Sequence, residues 1–175
     1  MKIVNIFDAV KEGSWEEFKK LFNDEINQIN EFTSFNLLET LLLKNDNTQE
    51  RLKIIEFLIK NGIDIHHKEK KYQRNALHVL FFNFLRGDVK YLLEVTKILV
   101  SAGINVNEVD IYNAIPLKYS LTISKLKTEE MLPVYKYLLN VGSDYKIKDS
   151  FEKSCIDYAQ ELTWRTEFIN LTKEI

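Results

Sequence analysis

The chain is short of everything that would make it a disulfide scaffold, a metal module or a turn-rich β protein. Its 175 residues include one cysteine, two prolines, five glycines and three histidines. A lone Cys155 can form neither a disulfide framework nor a Cys-rich zinc site, and it fits a reducing compartment. So few glycines and prolines argue against a sandwich of many tight turns and favour helices with short connections. Surplus charge is also lacking, because 24 Lys and Arg face 26 Asp and Glu, a net charge of −2. A general nucleic-acid binder carries a basic surplus, so none is expected here, and nothing draws the chain to an anionic membrane. No apolar run approaches the roughly 18 residues of a membrane span. The N-terminal stretch from Met1 to Glu12 is charged throughout and does not read as a signal peptide. A cytoplasmic location is the expectation.

What the chain does have is 45% hydrophobic and 29% charged residues, enough to build a core in one domain or a small array. Apolar markers at helix starts, Leu38, Leu77, Leu117 and Ile156, recur at steps of 39, 40 and 39 residues. Gly62, Gly103 and Gly142 keep the same rhythm, with steps of 41 and 39. Two residues before each marker stand Asn36, Asn75, Ile115 and Ser154. Three of these can cap a helix N-terminus with a side-chain oxygen. The exception, Ile115, precedes Pro116, which suits a first helical position. A second helix follows in each unit. Ile54, Ile55, Leu58 and Ile59 share one face, as do Val95, Ile98 and Leu99, and then Val134, Tyr137 and Leu138. Each second helix runs into one of the periodic glycines, which supply the left-handed conformation beyond a helix end. The segment from Ile3 to Phe22 adds a helix pair with Gly13 at its turn. The unit is therefore helix, turn, helix, glycine and extended connector. Five units fill the chain, at about 1–32, 33–71, 72–111, 112–150 and 151–175, the last truncated or acting as a cap.

With these residues in place, the sequence resembles the ankyrin repeat family. Ile115-Pro116-Leu117-Lys118, Asn75-Ala76-Leu77-His78 and Ser154-Cys155-Ile156-Asp157 stand where the family has Thr-Pro-Leu-His. Gly62-Ile-Asp-Ile-His66, Gly103-Ile-Asn-Val-Asn107 and Gly142-Ser-Asp-Tyr-Lys146 stand where it has Gly-Ala-Asp-Val-Asn, and Asn27 with Ile29-Asn30 gives a blurred copy. The third and fourth connectors match residue for residue, and the first two match to within one position. The resemblance covers nearly the whole chain and implies an all-α solenoid of about five helix-turn-helix units with extended fingers. The units depart from the family in length. Marker to glycine is 24, 26 and 25 residues in units two to four, against about 19 in the family's unit of about 33. The extra residues fall near Asn45–Glu50, Leu85–Tyr91 and Ser124–Glu130, and either extend helices or lengthen loops. One helix pair cannot bury its own apolar face, so stacking must complete the core. Phe18, Leu21, Leu42, Phe57, Leu80, Phe81, Leu99, Leu121 and Leu138 are the expected core. The segment from Glu161 to Ile175 is expected to cap it, with Leu162, Trp164, Phe168 and Ile169 facing inward.

Catalysis finds little support. His66 and His67 are adjacent, so they cannot both point to one side of an extended connector, and the solvated connector is the simpler reading. His78 falls at the family's histidine position, where the resemblance implies a structural hydrogen bond to the next connector. Glu39, Lys118 and Asp157 take that position elsewhere. Cys155 could gain reactivity at a helix N-terminus but reads as a packed small residue. No phosphate loop, nucleophile elbow or metalloprotease motif occurs. The basic run from His67 to Arg74 is short and contains Glu69, so it reads as a connector tip.

Binding is the strongest reading. The resemblance implies protein recognition through fingers and a concave face. Five residues before each marker stand Thr33, Tyr72, Tyr112 and Phe151. Aromatic side chains anchor interfaces because they bury much area at small entropic cost. Each ring either folds back onto its own array or faces a partner. The expected surface is Tyr72, Tyr112 and Phe151, with Phe82 beside Asn83 in the groove and Lys70, Lys71, Arg74, Asp110 and Asp149 as rim charges. The expected protein is a monomeric, non-catalytic interaction module without metal or cofactor. Its Lys, Asn and Ile usage points to an AT-rich genome, and small bacterial ankyrin proteins include immunity proteins that neutralise a cognate toxin. A host-directed effector or an intracellular scaffold is the alternative, and a metal or thiol enzyme built on His66, His67 and Cys155 a distant one. Elemental analysis of the purified protein checks the last: no stoichiometric metal is expected, and its presence would reinstate a metal-dependent reading.

Overall fold

A computed structural model describes residues 2–174, of which the helices are the only regular elements. Met1 and Ile175, the ends of the expected domain, lie outside the described residues. The first helices of the pairs are α1 (Ile6–Glu12), α3 (Leu37–Leu41), α5 (Ala76–Asn83), α7 (Pro116–Thr122) and α9 (Cys155–Glu161). The second helices are α2 (Trp15–Leu21), α4 (Thr48–Lys60), α6 (Val89–Ser101), α8 (Thr128–Asn140) and α10 (Thr166–Thr172). The chain is all-α.

Local chemistry sets the ends. Asn36, Asn75 and Ser154 each accept a hydrogen bond from the backbone N–H three residues on. Ile115 has no such bond, and Pro116 opens α7 in its place. Gly62, Gly103 and Gly142 have φ of 80°, 95° and 90°. There each glycine N–H and its successor's reach back to carbonyls of the last helical turn, as for Gly62 to Ile59 and Ile63 to Leu58. The extra residues divide in two. The later ones lie in α4, α6 and α8, which run to 13 residues each. The earlier ones form loops at the end of the molecule away from the connectors.

Helices α1, α3, α5, α7 and α9 pack in succession, and α2, α4, α6, α8 and α10 do likewise. One continuous cluster of apolar side chains runs between the two rows. Of the nine expected core residues, Leu21 and Phe57 are partly buried against this cluster and the other seven are buried. Each buried Leu or Phe contributes roughly 1.5–3 kcal/mol of hydrophobic stabilisation.

The C-terminal segment corrects one expectation. Trp164 is 53% exposed and faces away from the core, whereas its neighbour Arg165 is fully buried. Arg165 begins the polar end of a cross-unit bond set: its guanidinium donates to the carbonyls of Leu121 (2.9 Å), Ser124 (2.7 Å) and Leu126 (2.9 Å). Those carbonyls lie in and just beyond the last turn of α7, where no helical partner is left. Arg51 does the same at the other end of the stack. It donates to Val10 (3.2 Å), Lys11 (2.7 Å) and Leu41 (2.7 Å) and pairs with Asp46 at 2.7 Å. Gly13 leaves room for it, since a Cβ there would lie 2.9 Å from the Arg51 side chain. Apolar packing loses at these positions because an unpaired buried carbonyl costs more than an exposed indole.

Arg165→Met should therefore strand three carbonyls at about 1–3 kcal/mol each, lowering stability by roughly 3 kcal/mol or more. Trp164→Ser should change it by under about 1 kcal/mol. Denaturant unfolding of the two variants checks the inversion, and equal losses would overturn it.

Candidate protein-interaction surface

The connectors between helix pairs form four fingers, each closed by one polar side chain. Asn30 accepts from the N–H groups of Phe32 and Thr33, both at 3.0 Å. Glu69 accepts from Lys71 (2.7 Å) and Tyr72 (2.6 Å), Asp110 from Tyr112 (2.9 Å) and Ala114 (3.1 Å), and Asp149 from Phe151 (2.9 Å) and Lys153 (3.3 Å). Each brace works because one acceptor side chain sits under several converging N–H donors of the tip. Ser34, Gln73, Asn113 and Glu152 close the tips with φ between 55° and 59°.

Asp110 and Asp149 are thus buried braces and not rim charges. Their outer oxygens are also used. Asp110 accepts from the Tyr119 hydroxyl and from Arg74 Nε at 3.3 Å, and Asp149 accepts from the Tyr158 hydroxyl with Lys118 Nζ at 3.9 Å. Burial, followed by donation to these carboxylates, raises the pKa of both tyrosines. Arg74 is likewise buried rather than on the rim. Its guanidinium lies 4.2, 4.7 and 4.8 Å from the ring centres of Phe82, Tyr72 and Tyr119. Lys70 and Lys71 are exposed, as the sequence implied.

The expected aromatics divide. Tyr72 is half-buried and stacks on Tyr112, with centroids 6.3 Å apart. Tyr112, Ile111, Phe82 and Phe151 are exposed, Phe151 at 66%. The backbone joins the fingers, with Ile111 N–H donating to Tyr72 O (3.0 Å) and Ser150 N–H to Tyr112 O (2.8 Å). The structure brings Tyr72, Arg74, Phe82, Asp110 and Tyr112 together, while Phe151 stands one finger further on. A cleft of about 180 Å³ opens beside them, lined by Phe35, Leu43, Tyr72, Arg74, Phe82 and Asn83 among others. Sequence reasoning missed Phe32, which is 98% exposed. The first two tips span one residue more than the last two. Asn30 pairs with Phe35 and Glu69 with Arg74, but Asp110 with Ala114 and Asp149 with Lys153. Counting back from the helix therefore lands on Thr33; counting forward from the brace lands on Phe32.

The histidines and the cysteine take structural places. His78 is buried, its Nε2 2.9 Å from Ala114 O in the next connector, and burial pushes its pKa down to about 4. Cys155 is buried too, and that burial raises its thiol far from reactive values. His66 is exposed, but His67 is not the solvated residue expected. Its Nδ1 lies 2.8 Å from Oε2 of the fully buried Glu39, which also accepts from Asn36 N–H at 3.0 Å. Among the described residues no group of three or more His, Cys, Asp or Glu could hold a metal ion, and no helix is long and apolar enough to cross a membrane. No protein-family model matches the chain, and no curated protein matches it.

The His67–Glu39 pair links stability to pH. The bond to Glu39 raises the pKa of His67, and burial raises that of Glu39. Each shift makes the folded state hold more protons than the unfolded one, so stability falls as pH rises. The His67 share is fully present below its ordinary value of 6.5 and fades as pH climbs through the raised value. Wild type should exceed His67→Gln in stability most at mildly acidic pH, with the gap closing toward alkaline pH. Urea titrations across that range check this, and a gap independent of pH would refute it.

Proposed function

We propose that this protein is a non-catalytic protein-binding module of the ankyrin-repeat type, which docks a partner on its finger tips and the adjoining groove. The observation that carries the reading is the row of exposed apolar tips, Phe32, Ile111, Tyr112 and Phe151, on fingers that are braced from within and linked to their neighbours, through the Ser34 hydroxyl between the first two and backbone to backbone between the rest. Large exposed apolar side chains in one row are the usual mark of an interaction site. A rigid scaffold beneath them lowers the ordering cost of binding. The ankyrin reading rests on the periodic helix pairs, the caps and the glycine ends. It also accounts for the His78 bond to the following connector.

Within this class the proposal extends to an immunity protein that neutralises a cognate toxin by covering it. Occlusion needs a preformed surface and no chemistry, which fits the buried Cys155 and the structural roles of His67 and His78. A host-directed effector or intracellular scaffold would use the same surface. The native location is proposed to be the cytoplasm, with the protein acting as a monomer that binds one protein partner and takes no cofactor.

Tyr112→Ser/Phe151→Ser removes two tips while leaving every brace in place. Wild-type protein used as bait in its native cell should retain a partner in near-stoichiometric amount, and the double variant should lose it by at least roughly tenfold. Quantitative mass spectrometry of the eluates reads this, and equal retention by both baits would sink the reading.

A further inference from the structure

The first two fingers are joined differently from the rest. In the later pairs a backbone N–H meets the neighbouring tip's carbonyl directly. Between fingers one and two, a hydroxyl is interposed. Lys70 N–H donates to Ser34 Oγ at 2.8 Å, and Ser34 Oγ donates to Thr33 O at 2.7 Å. The hydroxyl acts as a wedge, and both tips carry the extra residue described above. An opening of about 450 Å³ lies at this place, walled by Phe32, Phe35, Tyr72, Lys70 and Lys71 among others. It shares Phe35, Glu69 and Tyr72 with the smaller cleft over Phe82 and Arg74, so the two are adjacent.

The charges at this opening are uneven. Lys70 and Lys71 are in none of the ion pairs among the described residues, and both are exposed. Arg74 uses Nε and Nη2 on Asp110 and Tyr119, but Nη1 makes no hydrogen bond to the described residues. Glu69 turns its carboxylate inward to the N–H groups of Lys71, Tyr72 and Arg74. Among the described residues lining the opening, Glu31 on the first finger is the one acid besides Glu69. Two exposed cations, Lys70 and Lys71, therefore line an apolar opening, with the Lys71 ammonium 4.9 Å from the Tyr72 ring centre and Arg74 in the adjacent cleft.

We infer that the opening between the first and second fingers is the anchor site for the partner, and that it takes a linear segment presenting an aromatic or aliphatic side chain next to one or more carboxylates. The apolar side chain lies between Phe32 and Tyr72, and the carboxylates meet Lys70 and Lys71, with the free edge of Arg74 within the adjacent cleft. Complementary charge of this kind sets orientation and selects against basic segments. The inference rests on the protein-binding reading above but fails separately from it.

The test is selection of a random linear-peptide display library on the full chain, followed by fluorescence anisotropy with the synthesised winners. Winners should pair Trp, Phe or Leu with Asp or Glu, and Lys70→Glu/Lys71→Glu should weaken them by roughly tenfold or more. Phe32→Ser should weaken them as well, whereas swapping their acids for amides should abolish the salt dependence. Winners without acids, no winners at all, or winners indifferent to the lysine reversal would each overturn the inference. Winners that depend on Tyr112 and Phe151 but ignore Lys70 and Lys71 would overturn it while leaving the finger-surface reading intact. Loss of partner retention only in the Tyr112→Ser/Phe151→Ser bait, with no effect of the lysine reversal on retention, would do the same. Concentration-dependent dimerisation abolished by Phe32→Ser would overturn it in favour of a second copy as the occupant.

Discussion

The first helices of this protein are too short to satisfy themselves. They run from five to eight residues, and any α-helix leaves four N–H and four C=O groups without internal partners. For a helix of seven residues the unpaired groups outnumber the paired ones. Each must be met from outside the helix, and in a stack the nearest groups belong to the neighbouring unit. Asn36 and Asn75 show the device at one end: the side-chain oxygen caps its own helix while the amide donates to the carbonyls of Asp64 and Asn105. Arg51 and Arg165 show it at the other, each gathering several carbonyls with one planar fork. The stack is held by its continuous apolar cluster and, at these helix ends, by hydrogen bonds that one unit supplies to the next.

The fingers obey the same rule on a smaller scale. A tip turn exposes several N–H groups at once, and one carboxylate or amide beneath it collects them. The acids Asp110 and Asp149 then still have an oxygen to spare, which ties each tip to a tyrosine on a first helix. Rigidity therefore passes from the core to the tips through buried polar groups, and the exposed rings ride on a surface that is already ordered. The most exposed ring, Phe32, stands where the regular link between tips is interrupted by a hydroxyl. Order and opening are thus built from the same few side chains.

Much of the helical plan was legible in the residues. Asn36, Asn75, Ser154 and Pro116 mark helix starts because capping is a local event, decided within three or four residues. Gly62, Gly103 and Gly142 mark ends for a similar reason, since the left-handed conformation excludes most side chains. The binding surface was legible only in part. Tyr112, Phe151 and Phe82 are exposed, but Arg74, Asp110 and Asp149 looked like surface charges and are buried. Nothing near Asp110 in sequence announces Tyr119 as its partner across the groove. His67 and Glu39 are 28 positions apart, which conceals their pairing equally well. Phe32 was missed because one added residue in a tip shifts the count without disturbing the period.

The end of the chain shows where that boundary lies. Hydrophobicity ranks tryptophan as core and arginine as surface, yet Trp164 is exposed and Arg165 is buried. By itself the sequence determined the period, the helix ends and the apolar stripes, because each depends on the conformation of a few adjacent residues. The tertiary structure alone decided which polar side chains go inside. That choice depends on where a distant helix leaves its last carbonyls, and only the packed neighbour brings those within reach.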